Sequence, residues 1–166
     1  MTIVDALRRS LMSSVWLVVP PLVISVGFWS KLPGAYGAAF WDVVPPYVSV
    51  PENVLRIAAF ALAVLLPFGA DTPRQQRGLL IYLAGLCLYA GSYATEILFP
   101  DSALSRSAIG FLAPAWTPLL WFVGIGLMAG DPYFPQWFRG SHFIIVTTAF
   151  VGVHVTHAAI VFEQLD

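Results

Sequence analysis

Apolar residues fall in long runs, and the polar positions between them divide the chain into five blocks. No charge interrupts the stretch from Arg9 to Lys31, which predicts a first helix over about 11–30. Further helices are predicted over about 53–69, 78–99, 107–129 and 141–162. A bilayer core of about 30 Å takes roughly 20 apolar residues per helix, and the blocks lie near that length. No ten-residue alternation of the kind a membrane β-barrel requires is present. The expected fold class is all-α: a polytopic membrane helix bundle with five transmembrane helices, in a single domain spanning 1–166. The first run is longer than a signal-peptide core and contains Pro20 and Pro21, so it reads as a retained helix.

The connections differ in character. Residues 70–77 and 100–106 read as short polar turns, with Ser102 or Ser105 able to cap the fourth helix. Residues 130–140 are aromatic and proline-punctuated and suit the membrane interface. The 31–52 connection, KLPGAYGAAFWDVVPPYVSVPE, is long for a compact domain, and such loops are usually functional. It is expected to fold back over the outer face as a cap, with a plain interfacial loop as the alternative. Gly126 and Gly130 form a GxxxG spacing that serves close helix contact or dimerisation.

Composition sharpens this picture. Hydrophobic residues make up 58% of the 166 residues and charged residues 10%. Soluble domains average about 45–50% apolar and roughly 25% charged. With a mean hydropathy of +0.79, an ordinary soluble enzyme and a disordered chain are both excluded. The 8 Lys+Arg against 9 Asp+Glu, without a basic run, give no footprint for nucleic acid. The partners expected are the lipid bilayer, a small-molecule or ion ligand, and a homo-oligomer or membrane-complex subunit. The single cysteine, Cys87, lies in an apolar run and is expected to be a buried, inert thiol.

Charge asymmetry sets the direction of insertion. With the N-terminus inside, that side carries Arg8, Arg9, Arg74, Arg77 and Arg139, against Lys31, Arg56 and Arg106 outside. Asp42, Glu52, Asp101, Glu163 and Asp166 join the outer side. Aromatic residues mark both edges: Trp29, Tyr36, Phe40, Trp41 and Tyr47 at the outer one, Tyr133, Phe134, Trp137 and Phe138 at the inner one. The expected orientation is N-inside and C-outside, in the plasma (inner) membrane.

Ionisable groups inside spans are costly and mark functional sites. At ~1.5 Å rise per residue, Glu96 lies roughly 27 Å from the inner end of its span, and His154 and His157 roughly 20 and 24 Å. Arg56 lies one turn into the second span from the outer side. All four therefore fall in the outer half and are expected to face one another. On the third helix Tyr82, Gly85, Tyr89, Ser92, Tyr93 and Glu96 follow steps of three and four and form one stripe. On the fifth, Thr147, Val151, His154 and His157 or Ala158 do the same. A Glu beside one or two His could relay protons near neutral pH. Each group also has a structural reading. Arg56 can snorkel or pair with Glu52 at i, i+4, Glu96 can reach the headgroups, and His154 and His157 can bond to a neighbouring Tyr or Thr. His142 reads as interfacial.

Pro114 and Pro118 interrupt the fourth span beside Trp116, and Pro20 and Pro21 interrupt the first. Each removes a helical hydrogen bond. Irregular backbone at that depth must be covered or line a cavity. The expected ligand-binding residues are Arg56, Tyr89, Tyr93, Glu96, Trp116, His154 and His157. A metal held by Glu96, His154 and His157 is a minor alternative, since the spacing is not HExxH. The two histidines share one helix face and cannot be the two axial ligands of one haem. No GxSxG, Walker or GxGxxG motif occurs, so neither a catalytic residue nor a cofactor is assigned.

The first functional reading is a small-molecule or ion binder with a pocket in the outer half. The others are a non-catalytic subunit of a larger membrane complex and a membrane oxidoreductase or hydrolase using the Glu/His set. In size, helix count and aromatic content the chain resembles the tryptophan-rich sensory protein/translocator family. That resemblance carries no site residue and no activity onto this chain. The phrases PENVLRIAAF and GFLAPAWTPLLW resemble those of small bacterial membrane proteins and likewise imply no activity.

Overall fold

The computed structural model describes residues 13–37, 40, 43–132 and 137–164. Arg8, Arg9, Trp41, Asp42, Tyr133, Phe134 and Asp166, used above for orientation and edges, lie outside the described residues. The chain is all-helical, with 74% helix and no strand among the described residues. The elements are α1 (Val15–Trp29), a one-turn 3-10 helix (Gly34–Tyr36), α2 (Pro46–Leu65) and α3 (Pro73–Leu98). After them come α4 (Ala108–Phe111), α5 (Ala113–Trp116), α6 (Pro118–Met128) and α7 (Gly140–Phe162). Three of these helices, α2, α3 and α7, are long and apolar enough to cross a membrane. Helix α1 and the stretch Ala113–Met128 are apolar but shorter.

Boundaries depart from the sequence expectation in instructive places. Helix α2 begins at Pro46 instead of near Asn53, so Glu52 is helical and not part of the connection. Proline at a first helical position is favourable, because its missing N–H would be unbonded there anyway. Helix α3 starts at Pro73, inside the expected polar turn, behind a capping box. Thr72 Oγ1 accepts from Gln75 N at 3.3 Å, and Gln75 Oε1 accepts from Thr72 N at 3.1 Å. The cap of α4 is Ser107, whose Oγ accepts from Gly110 N at 3.2 Å; neither Ser102 nor Ser105 takes that place. Cys87 is exposed, on the side of α3 away from the buried stripe, contrary to expectation.

The prolines free backbone carbonyls, and two tyrosines satisfy them. Pro21 has no N–H to bond the carbonyl of Leu17; Tyr82 Oη donates to that oxygen at 2.8 Å. Where the α4–α6 stretch tightens around Pro114, Ala115 N bonds Leu112 O and leaves Phe111 O open. Tyr36 Oη, from the 31–45 connection, donates to Phe111 O at 2.9 Å.

Close backbone approach holds the middle of the bundle. A Cβ on Gly85 would sit 2.6 Å from Trp121 N, and one on Gly124 would sit 2.5 Å from Tyr82 N. Helices α3 and α6 therefore touch backbone to backbone. Gly126 does the same within the chain against α7, where a Cβ on Gly140 would lie 2.1 Å from Gly126 O. The GxxxG spacing thus contributes one of its glycines to an internal contact.

Candidate functional site

Because α2 starts at Pro46, Glu52 falls in its second turn with Arg56 one turn further on, on the same face. Glu52 is 1% exposed. Its Oε1 accepts from Arg56 Nη2 and meets His154 Nδ1 at 3.0 Å, while Oε2 meets His157 Nδ1 at 2.5 Å. The two imidazoles reach one carboxyl because i and i+3 share a face of α7. The second ring nitrogen of His157, Nε2, donates to the carbonyl of Phe40 at 3.0 Å. The Phe40 ring stacks on the His157 ring with centroids 4.7 Å apart. The cluster thereby ties α2, α7 and the connection ahead of α2 into one unit. Arg56 also donates to Asn53 Oδ1 at 3.2 Å and lies 5.7 Å from the centroid of Phe150.

Of the four ionisable groups expected to converge, the structure brings together Arg56, His154 and His157. Glu96 is not with them; Glu52 occupies the place expected of it. The helix start explains the difference. With Glu52 in a loop the nearest span carboxyl was Glu96, and with Glu52 in α2 the closer acid lies one turn from Arg56. Glu96 is itself buried, 3% exposed, at the far end of α3. Tyr36 and Ser105 are the hydroxyls beside it. Each also reaches a backbone carbonyl, with Tyr36 Oη 2.9 Å from Phe111 O and Ser105 Oγ 2.8 Å from Phe99 O. Glu96 Oε1 has no hydrogen-bond partner. Burial, with the Glu96 carboxyl close by, pushes the Tyr36 hydroxyl well above the usual tyrosine range.

The six stripe residues of α3, Tyr82 to Glu96, are all buried. Tyr89 Oη and Tyr93 Oη lie 3.2 Å apart, and Tyr93 Oη donates to Ser25 Oγ at 3.4 Å. These groups reach a cavity of about 290 Å³ that runs between α1, α3, the α4–α6 stretch and α7. Pro21, inside α1, and Pro114 and Pro118, in the first turns of α5 and α6, all line it. Arg56, His154, Tyr89 and Tyr93 also line it. The remaining wall is largely aromatic, with Trp29, Phe60, Trp121 and Phe150 among its members. Ligand pockets of about 300 Å³ and upwards are mostly apolar with a few placed polar groups, and this cavity has that composition. His157 lies behind the wall, fully buried.

Glu96 and Trp116 line a different cavity, of about 330 Å³, between α3 and the α4–α5 stretch. Trp116 Nε1 donates to Ile109 O at 3.3 Å. Two of the seven expected binding residues are therefore separated from the other five. Among the described residues no group of three or more His, Cys, Asp or Glu is placed to hold a metal ion. The two histidines already spend their Nδ1 atoms on Glu52, and the Glu96–His154–His157 ligand set does not assemble. No family model, no curated protein and no solved structure matches the chain.

Proposed function

We propose that the protein is an integral membrane protein that binds a small, largely apolar molecule in the aromatic cavity. Five crossings, N-inside and C-outside in the plasma membrane, are part of this reading. Helix α1 and the α4–α6 stretch join the three long helices as spans. The outer face of α1 supports its part: Trp16, Val19, Leu22, Val23 and Val26 are exposed apolar residues, which suit lipid. The 31–45 connection serves as the cover of the site, since Tyr36 and Phe40 are buried and also line the cavity.

The observation that carries the proposal is the pairing of an apolar cavity with two oriented polar groups, Arg56 and His154, both held by the buried Glu52. An apolar body inside the cavity gains roughly 25 cal/mol per Å² of buried surface, and the polar groups fix its orientation.

Native mass spectrometry from mild detergent tests this. The wild type is expected to carry a stoichiometric small-molecule adduct. Ser25→Phe, which places a ring in the cavity from a half-buried position on α1, is expected to lose it. A bare wild-type chain that instead co-purifies with a defined partner subunit would contradict the binder reading and favour a non-catalytic subunit.

A further inference from the structure

The hydrogen bonds around Glu52 also define what His154 presents to the cavity. Oε1 of Glu52 receives the guanidinium of Arg56, a group that only donates. A carboxyl hydrogen on that oxygen would be repelled by the guanidinium cation, so Oε1 is held as an acceptor toward His154 as well, whether the proton between Oε2 and His157 sits on the acid or on the ring. His154 Nδ1 accordingly donates to Oε1 across 3.0 Å. In a neutral imidazole with hydrogen on Nδ1, the other nitrogen is a lone-pair acceptor. His154 Nε2 has no partner among the described residues, and the side chain is 21% exposed and lines the cavity. Stacking on Phe150, at 5.6 Å and 8° between planes, holds the ring in this attitude.

Resting on the cavity-binding reading, we infer that His154 Nε2 is a positioned hydrogen-bond acceptor and that the cavity selects a hydroxyaryl ligand. The ring of such a ligand stacks among Trp29, Trp121 and Phe60, and its O–H donates to Nε2. Aromatic walls favour a flat ring through edge and face contacts. An acceptor nitrogen left bare beside a bound ether costs more than one met by a donor, because a buried polar group without a partner keeps its desolvation penalty. Glu52 is then a positioning residue, since it sets the tautomer and touches no ligand.

The test uses 4-bromophenol and 4-bromoanisole, which differ by one O-methyl group. The readout is bromine quenching of tryptophan fluorescence in the full-length protein in nanodiscs. Trp29 and Trp121 lie on the cavity wall, and Ser25→Phe subtracts simple partition into lipid. The phenol is expected to bind the wild type about tenfold more tightly than the ether, and the ratio to fall to about one in His154→Phe. Equal binding of both probes, blocked by Ser25→Phe, overturns the acceptor assignment and leaves the cavity reading intact. Quenching that Ser25→Phe does not alter overturns both. A second measurement needs no variant. In a ¹⁵N-histidine spectrum of the wild type, the ring whose signals move on adding 4-bromophenol should carry hydrogen on Nδ1 and a lone pair on Nε2. A protonated Nε2 on that ring, or tighter binding of 4-bromobenzoate than of 4-bromophenol, overturns the inference.

Discussion

Among the described residues two carboxyls are buried, Glu52 and Glu96, and they are treated very differently. Glu52 meets Arg56, His154 and His157, so each of its oxygens is engaged and two helices, α2 and α7, are joined through it. Glu96 is nearly as buried, yet it has only neutral hydroxyls beside it, which backbone carbonyls share, and its Oε1 has no hydrogen-bond partner. Burial alone therefore does not identify an organising acid. A carboxyl organises its surroundings when cationic and imidazole groups from two helices engage both of its oxygens, and of these two acids Glu52 meets that condition.

Loss of the Glu52 carboxyl has the largest expected effect. Glu52→Ala deprives Arg56, His154 and His157 of their shared carboxyl, and removing one partner of a buried ion pair costs about 3–5 kcal/mol. Thermal unfolding in detergent should show a loss of that order, accompanied by protease sensitivity in the 31–45 connection. Phe40→Ala comes next. It removes the ring that covers His157 and is expected to cost about 3 kcal/mol in the same assay, as buried aromatic truncations do. Tyr36→Phe removes the donor to Phe111 O and should cost about 1 kcal/mol.

The same tyrosine gives a pH dependence with a definite sign. Burial raises the folded-state value of Tyr36 above its ordinary 10.0. Unfolded chains therefore release this proton before folded ones do, and stability is expected to fall as pH rises above about 10. Below that value the contribution is fully present. Melting curves across alkaline pH should decline less steeply in Tyr36→Phe than in the wild type. The smallest effect belongs to the other acid. Glu96→Gln removes no hydrogen bond at Oε1 and relieves the burial of a charge, so stability should stay equal or rise by less than about 1 kcal/mol. A large loss in this variant would erase the contrast between the two acids.

Much of the helical pattern was legible because it rests on hydrophobic runs and helix periodicity. The stripe from Tyr82 to Glu96 follows steps of three and four, and its six members are buried. The i, i+3 relation of His154 and His157 placed both rings on one face, and both meet Glu52. The start of α2 was less legible. The run VVPPYVSVPE reads as loop when proline is taken only as a breaker, whereas Pro46 at a first helical position begins a helix. That single boundary moved Glu52 from the connection into the core. The i, i+4 relation of Glu52 and Arg56 is the available signal, but the histidines reach that pair across more than a hundred residues of chain, which no local pattern shows. The carbonyl caps by Tyr82 and Tyr36 were invisible for the same reason, as both are long-range pairings set by tertiary packing.

A double-mutant cycle gives the most direct test of the central claim that Glu52, and not Glu96, is the acid to which His157 is coupled. Unfolding free energies are compared for Glu52→Gln, His157→Asn and the double variant, and in parallel for Glu96→Gln with His157→Asn. A coupling of about 1–3 kcal/mol is expected for the first pair and additivity within about 0.5 kcal/mol for the second. Additivity between Glu52 and His157, with strong coupling between Glu96 and His157, would contradict that claim.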